Sequence, residues 1–341
     1  MKTMRVALNG FGRIGRTFLR TLFQDKEALE KIEVPVINMG PAPIEGAWRL
    51  FQYDSVMGKF PGKVEQDGKA LYINDRMIIL TQKMDAANLP WYNYGITWVV
   101  DATGKYTKKA DAEQHLDAGA LRVLITAPSD NCDITIIPGV NGEKYDRDKH
   151  FIVSLGSCTT NCFAPIMKIV AENLEFKYGQ MTTVHAYTND QALLDGSHHS
   201  DPRRGRAAAV NIIPTSTGTA KVIGQIFPDL KLNISCRAIR VPVPKVSLVD
   251  FSFVTEKKYT PIDINNLFKR VSQGKFSEII GYSDIPLVSS DFSMRPESTI
   301  VDGTLTQTAQ NMAKIIAWYD NEYGYCMRLK EFLLHRGLHI N

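Results

Sequence analysis

The 341-residue chain contains no apolar run near the ~20 residues needed to cross a membrane. Its start, Met1-Lys2-Thr3-Met4-Arg5, leads straight into strand-like sequence, with neither a signal-peptide core nor an Arg/Ser-rich transit segment. Cysteine is scarce: five residues, an odd number, cannot form a disulfide framework in so long a chain. These absences predict a cytoplasmic protein in a reducing compartment, with no membrane partner. An excess of one charge is also missing. Forty basic against 36 acidic residues leave a net +4, which suits small anionic ligands and is too weak and scattered for nucleic acid. Repeats, low-complexity tracts and flexible linkers are absent, and no metal site is expected.

What is present describes an ordinary globule, 44% hydrophobic and 22% charged. The length exceeds what one core normally serves, so two domains are expected. Arg5-Val6-Ala7-Leu8-Asn9 reads as a strand, Gly10-Phe11-Gly12-Arg13-Ile14-Gly15 as a glycine turn, and the run to about Asp25 as a helix. Strand, G-x-G-x-x-G and helix together are the phosphate-binding turn of a dinucleotide fold: Gly10 allows the tight turn, Gly12 the approach of a pyrophosphate, Gly15 the packing of helix on strand. Such folds place an acid at the end of the second strand, against the ribose 2′-OH. The second strand, Val34 to Asn38, is followed instead by Met39 and Gly40; the next acid, Glu45, is expected in the following helix. Without that carboxylate, preference for NAD over NADP weakens and can reverse.

Trp98 to Gly104 and Arg122 to Pro128 each read as a strand entering a turn, with a helix over Asp111 to Gly119 between them. Alternation of strands and helices predicts a largely parallel sheet, with ligands at the carboxyl ends of its strands. Beyond Asn173 the texture changes. Gln180–His185, Ile234–Val241, Ser247–Thr255 and Ala313–Tyr319 alternate partly in polarity, as in a mostly antiparallel sheet with one face covered by helices over 263–273 and about 217–227. The fold class is therefore α/β: an N-terminal Rossmann-type dinucleotide-binding domain plus an α+β catalytic domain. The stretch from Tyr187 to Ala209 lacks periodicity and is long for a loop, a mark of function.

Between the two textures lies Ser157-Cys158-Thr159-Thr160-Asn161-Cys162, preceded by the strand-like Phe151 to Ser154. Pro165 argues that a helix starts at or just before Cys158. Unpaired N–H groups and the positive end of the helix dipole there favour a thiolate, the nucleophile of covalent catalysis. Cys162, one turn on, is expected to face inward. His185, inside a polar block at a strand end, is the candidate base, whose charged form would stabilise the thiolate; His198 and His199 are expected to be solvated.

Ser157 to Cys162 resembles the active-site signature of the phosphorylating glyceraldehyde-3-phosphate dehydrogenases. The blocks His185-Ala186-Tyr187-Thr188-Asn189-Asp190-Gln191, Arg203 to Ala208, Ile213 to Lys221 and Trp318 to Tyr325 follow in the family's order. The resemblance covers nearly the whole chain. It implies reversible phosphorylating oxidation of D-glyceraldehyde 3-phosphate to 1,3-bisphosphoglycerate with NAD(P), through a hemithioacetal and thioester on Cys158, in glycolysis or gluconeogenesis. It implies anion sites at Ser157, Thr159, Arg204, Thr217 and Gly218 and at Thr188 and Arg240, with Asp190 orienting Arg240. It implies cofactor contacts from Asn9, Gly10, Phe11, Gly12, Arg13, Ile14, Gly15, Asn38, Met39, Thr103, Gly104, Thr126, Asn321 and Tyr325. It also implies a homotetramer in which the Tyr187–Ala209 loop reaches a neighbouring subunit's cofactor, and a final helix that rejoins the first domain, giving domains at 1–157 with 321–341 and at 158–320.

The chain departs from the family at several points. Met39 stands where NAD-using members carry Asp, and Met84 where an arginine contacts the adenine side. Leu155 and Gly156 replace Asn-Ala before the Ser-Cys, which removes a polar side chain and loosens the turn; Phe163 follows Cys162 where a smaller aliphatic is usual. The sister enzymes that oxidise erythrose 4-phosphate are the nearest alternative, disfavoured by Tyr187 and Thr188. A cofactor-binding protein without turnover would leave the catalytic side chains unexplained, and a cysteine hydrolase the Gly10–Gly15 turn.

Overall fold

The computed structural model describes residues 3–230 and 233–337; the end of the expected 321–341 segment lies outside the described residues. The chain divides into two compact units: one runs to Ile136 and includes Gly142–Gly156 and the segment from Cys326, the other comprises Ile137–Asn141 and Ser157–Tyr325.

The first unit is built on a nine-stranded sheet. From one edge its strands are Ile134–Thr135, Ile152–Ser154, Arg122–Ile125, Trp98–Asp101, Met4–Asn9, Ile32–Asn38, Arg76–Thr81, Ala70–Ile73 and Val64–Asp67. Every pair up to Arg76–Thr81 is parallel, and the last two strands add as antiparallel neighbours. The central strands are buried on both faces and read as runs of Val, Ile and Leu, as parallel strands under helices do. The helix Lys109–Asp117 lies within two residues of its expected limits, whereas Arg13–Phe23 starts inside the glycine turn, ahead of its expected start. The antiparallel edge over Val64–Thr81 was not anticipated, because its strands are short and half-exposed. Glu45 is not helical: it is exposed, in the turn before the Ala47–Gln52 helix.

The second unit is built on a mixed, mostly antiparallel eight-stranded sheet. Its order is Ile213–Thr215, Ile234–Val241, Phe176–Ala186, Ser247–Thr255, Met312–Tyr319, Thr299–Asp302 and Ile280–Ser283, with Gln307–Ala309 against Met312–Tyr319. Phe176–Ala186 and Ile234–Val241 are parallel, and their register sets His185 beside Arg240. Covering one face is the Cys158–Asn173 helix, which buries Phe163, Ile166, Met167 and Val170 in the same cluster as Phe251, Phe253 and Ile315. Phe163 fits without strain. Its ring meets Phe251 edge-on, centroids 4.8 Å apart, a favoured aromatic geometry. No helix among the described residues is long and apolar enough to cross a membrane.

Candidate active site

The glycine turn behaves as its spacing demands. Gly10 has φ +98°, a backbone state L side chains rarely adopt, and a Cβ there would lie 2.9 Å from the Ala102 carbonyl carbon. Gly12, by contrast, has nothing within 4 Å of where its Cβ would be. It is also the N-cap of the Arg13–Phe23 helix, with no side-chain bond to the first N–H groups. Bare backbone donors beside open space fit a dinucleotide pyrophosphate. The Arg13 guanidinium pairs with Asp54, so Arg13 offers the turn its backbone alone. Phe11 is buried, its carbonyl receiving Arg16 Nη1 at 2.7 Å; Ile14 and Gly15 continue the helix, with Gly15 buried.

Behind this turn runs a buried polar chain that joins three strand ends. Trp91 Nε1 donates to His115 Nδ1 at 3.0 Å, which leaves the proton of the neutral ring on Nε2. That N–H donates to Asp101 Oδ2 at 3.1 Å. Asp101 is 2% exposed. It also receives Asn9 Nδ2 at 2.7 Å, Thr103 Oγ1 at 2.7 Å and the Thr103 N–H at 3.1 Å. Asn9 Oδ1 in turn accepts from Asn38 Nδ2 at 2.8 Å. Asn9, Asn38 and Asp101 each end a strand, so one network fixes the turns at Gly10, at Met39 and at Thr103–Gly104. Gly104 is left-handed, φ +69°, and the Thr126 N–H donates to Asp101 O at 3.0 Å. Trp91, His115 and Asp101 escaped the sequence reading because no local spacing links residues 14 and 24 positions apart.

In the second unit the helix begins at Cys158, as Pro165 implied. Ser157 is its N-cap, its hydroxyl accepting the Thr160 N–H at 3.1 Å and meeting Thr160 Oγ1 at 2.9 Å. Thr159 Oγ1 lies 2.9 Å from Tyr319 Oη, which also meets Thr183 Oγ1 at 2.8 Å. The hydroxyls of Ser157 and Thr159 are therefore committed within the protein, and the N–H groups at the helix start are what remains for an anion. Gly156 has a left-handed φ of +63°, which glycine adopts at less cost than other residues, and its N–H is held by Ser154 Oγ at 3.0 Å. Leu155 is fully buried.

Cys158 Sγ lies 3.5 Å from His185 Nε2. His185 Nδ1 stands 2.6 Å from the Ala186 carbonyl and 3.0 Å from Arg240 Nη1. A carbonyl only accepts, so Nδ1 carries the proton and Nε2 turns a lone pair toward the sulfur. Arg240 Nη1 then donates to the same carbonyl at 3.1 Å and to Thr188 Oγ1 at 3.4 Å. Burial pushes the Cys158 thiol up; the Arg240 charge and the Thr159 hydroxyl and N–H pull it back. Burial, aided by Arg240, drives the His185 imidazole down to about 3. Burial thus works against the charged form of each group taken alone, whereas the sequence reading expected a charged ring beside a thiolate. Cys162 is buried, as expected, and its thiol contacts Thr299 Oγ1 at 3.3 Å.

Two further expectations fail. Asp190 does not orient Arg240: its Oδ2 accepts Arg204 Nη1 at 2.7 Å. Arg204 is held as well by Thr215 Oγ1 at 2.8 Å and the Ser216 carbonyl at 3.1 Å. Nor is His198 solvated, its side chain being only 5% exposed. His198 Nδ1 accepts the N–H groups of Ser200 and Asp201, so Nε2–H points at Asp190 Oδ1, 3.3 Å away. His199 stacks on it at 4.5 Å, and these side chains gather with Asp190 within 4.8 Å. A ring whose Nδ1 already accepts and whose Nε2 carries hydrogen offers Asp190 an N–H and has no lone pair left for a metal. Thr217 Oγ1 meets Thr219 Oγ1 at 2.9 Å, and Gly218 is the exposed N-cap of the Thr219–Ile226 helix. Asn321 Oδ1 accepts from Ser247 Oγ at 3.4 Å, and Tyr325 is buried.

Among the buried donors of this unit without a hydrogen-bond partner among the described residues are Arg240 Nε and Gln191 Nε2. Gln191 was not singled out from sequence, yet its Oε1 receives the Thr188 N–H at 3.4 Å, beside Arg240's own partner. Unpaired buried donors next to a guanidinium mark a place prepared for an anion.

Comparison with known proteins agrees with this geometry. Residues 4–109 match the family profile described as "Glyceraldehyde 3-phosphate dehydrogenase, NAD binding domain", and residues 157–321 match its "C-terminal domain". A glyceraldehyde-3-phosphate dehydrogenase of Priestia megaterium is 44% identical over 339 residues, 98% of this chain and 99% of the relative. Glyceraldehyde-3-phosphate dehydrogenase 1 of Bacillus subtilis is 43% identical over the same span, with the same coverage. The enzyme of that name from Kitasatospora aureofaciens is 44% identical over 329 residues, 96% of this chain and 98% of its own. With both profiles matched and relatives of this identity along nearly its full length, the chain belongs to the glyceraldehyde 3-phosphate dehydrogenase family.

Proposed function

We propose that the chain catalyses the reversible, phosphorylating oxidation of D-glyceraldehyde 3-phosphate to 1,3-bisphosphoglycerate with a nicotinamide dinucleotide. The observation that carries this reading is the Cys158–His185 pair, with sulfur and Nε2 3.5 Å apart at a helix start, beside an arginine with an unpaired buried N–H. His185 Nε2 takes the thiol proton as Cys158 Sγ bonds to the aldehyde carbon. This transfer creates two opposite charges but changes no net charge, so it is feasible where neither charge alone is. The Cys158 N–H at the helix start and the new imidazolium hold the oxyanion of the hemithioacetal. A bound oxidised nicotinamide would supply the hydride acceptor for that carbon. The imidazolium first returns its proton to the oxyanion, and neutral His185 takes that hydroxyl proton again as the hydride leaves, giving a thioester on Cys158. Inorganic phosphate then attacks the thioester carbon, and the imidazolium returns the proton to the departing sulfur.

In this reading Arg240 and Gln191, through their unpaired donors, and Thr188 bind one phosphate. Arg204, Thr217, Gly218 and the helix start at Ser157–Thr159 bind the other, with His198 and Asp190 holding Arg204. Residues 1–157 with 321–341 serve the dinucleotide, and 158–320 the chemistry. Asn321 fixes the nicotinamide carboxamide. The missing acid at position 39 moves preference from NAD toward NADP. The protein is cytoplasmic, in keeping with five unpaired cysteines, and homotetrameric, in keeping with Leu193, Leu194, Val210 and Ile212, which are 71–81% exposed in the chain taken alone. Erythrose 4-phosphate is not favoured as substrate: the relatives reported above are all named for glyceraldehyde-3-phosphate dehydrogenase.

The test is formation of NADH or NADPH from glyceraldehyde 3-phosphate, with and without phosphate. Cys158→Ser is expected to lose at least about 10³-fold in kcat. A loss below about tenfold, or turnover indifferent to phosphate, ends the mechanism.

A further inference from the structure

The end of the Ile32–Asn38 strand faces the end of the Arg76–Thr81 strand, and the segments that follow are laced together. The Met39 N–H donates to Thr81 O at 2.8 Å. Asn38 then brackets Lys83 from both sides: its Oδ1 accepts the Lys83 N–H at 2.9 Å and its Nδ2 donates to the Lys83 carbonyl at 2.9 Å. Gln82 Nε2 donates to Ala42 O at 2.7 Å. Lys83 is thus fixed at its backbone opposite Met39–Gly40, while its side chain is exposed and its ammonium makes no ion pair among the described residues.

The strand end itself carries no acid and is not short of space. Met39 is 3% exposed and carries no charge. Gly40 has φ +59° and nothing within 4 Å of where a Cβ would lie. Asp85 spends its carboxylate on Ala87 N at 3.1 Å and Asn88 Nδ2 at 3.1 Å. Glu45 is in the turn beyond. Dinucleotide folds read the adenosine ribose at this strand end, with an acid for a 2′-OH or a nearby cation for a 2′-phosphate. Here the acid is gone and a lysine stands pinned in its place.

We propose that Lys83 is the residue that recognises a 2′-phosphate, making a 2′-phosphorylated dinucleotide the preferred cofactor. This rests on the NADP reading above and names the side chain that enforces it. Lysine contributes as a point charge, so its effect falls with salt.

Binding to the intact protein tests it without turnover, using 2′,5′-ADP and 5′-AMP as probes in calorimetric titrations at low and moderate salt. The wild type is expected to bind 2′,5′-ADP at least about tenfold more tightly, with the margin shrinking as salt rises. Lys83→Ala should bring the two probes within about twofold of each other, and Lys83→Arg should restore the margin. Met39→Asp should reverse it by supplying the absent carboxylate. If the wild type shows no margin, the NADP reading falls and Lys83's role with it. If the wild type shows the margin and Lys83→Ala keeps it, Lys83 is wrong while the NADP reading stands.

Discussion

Each unit buries a histidine beside a partner that can share its proton, and the two are treated in opposite ways. His115, fully buried, has a donor on one nitrogen and an acceptor on the other, and the carboxylate it meets is satisfied by three further donors. His185, 4% exposed, has its Nδ1–H satisfied and its Nε2 aimed at a thiol, with an arginine alongside whose own Nε lacks a partner. A satisfied buried network is rigid, and a half-satisfied one is costly until something completes it. The first arrangement holds backbone turns still. The second keeps a proton movable and an anion wanted. A buried histidine thus reveals its role less by burial than by which of its neighbours are left wanting.

Matched substitutions should separate the two. The largest effect is expected at His185→Asn, which removes the base: kcat/KM should fall by about 10²–10⁴-fold, with the thermal midpoint shifted little. His115→Asn should do the reverse, lowering the midpoint and sparing kcat. Equal losses of kcat from both would erase the distinction. Next comes Asp101→Asn, which swaps an acceptor oxygen for an NH₂ facing other donors. A cost of about 1–3 kcal/mol is expected from unsatisfied groups, read as a lower melting midpoint and weaker cofactor binding. Arg240→Gln sharpens the other side. Removing a neighbouring positive charge favours the protonated form of both groups, so the His185 imidazole should rise from about 3 and the Cys158 thiol should rise too. Imidazole carbon-bound proton shifts against pH, and the pH profile of thiol alkylation, would read the two directions; a fall in either rejects the assignment. Tyr319→Phe is the smallest. It removes the hydroxyl between Thr159 and Thr183, for about 0.5–1.5 kcal/mol and a change in kcat below about tenfold.

How much of this was legible in the sequence follows from the range of each interaction. The glycine turn and the helix start at Cys158 are local: a positive φ, a cap residue and a proline act over a few positions, so sequence carries them. Central strands announce themselves by apolar runs, whereas the Val64–Thr81 edge, half-exposed and short, does not. The contact of His185 with Arg240 needed sheet register, since they meet only because two distant strands run parallel in one alignment. Family resemblance supplied Arg204 and Asp190 but paired Asp190 with the wrong arginine. Charge complementarity alone cannot tell Arg204 from Arg240; the path of the 187–209 loop decides it. His198 looked solvated because its neighbours in sequence are polar, while its accepting nitrogen is taken up by backbone N–H groups two and three residues on. Tyr319 sits 160 residues from Thr159, beyond any local pattern.

The bracketing of Asn38 has a consequence for how this protein can change. Held by Asn9 on one flank and Lys83 on the other, that asparagine is a fixed handle, and position 39 is the interchangeable tip. A new side chain can be fitted there while the handle stays clamped, so cofactor choice can drift by single substitutions without disturbing the three turns the handle joins.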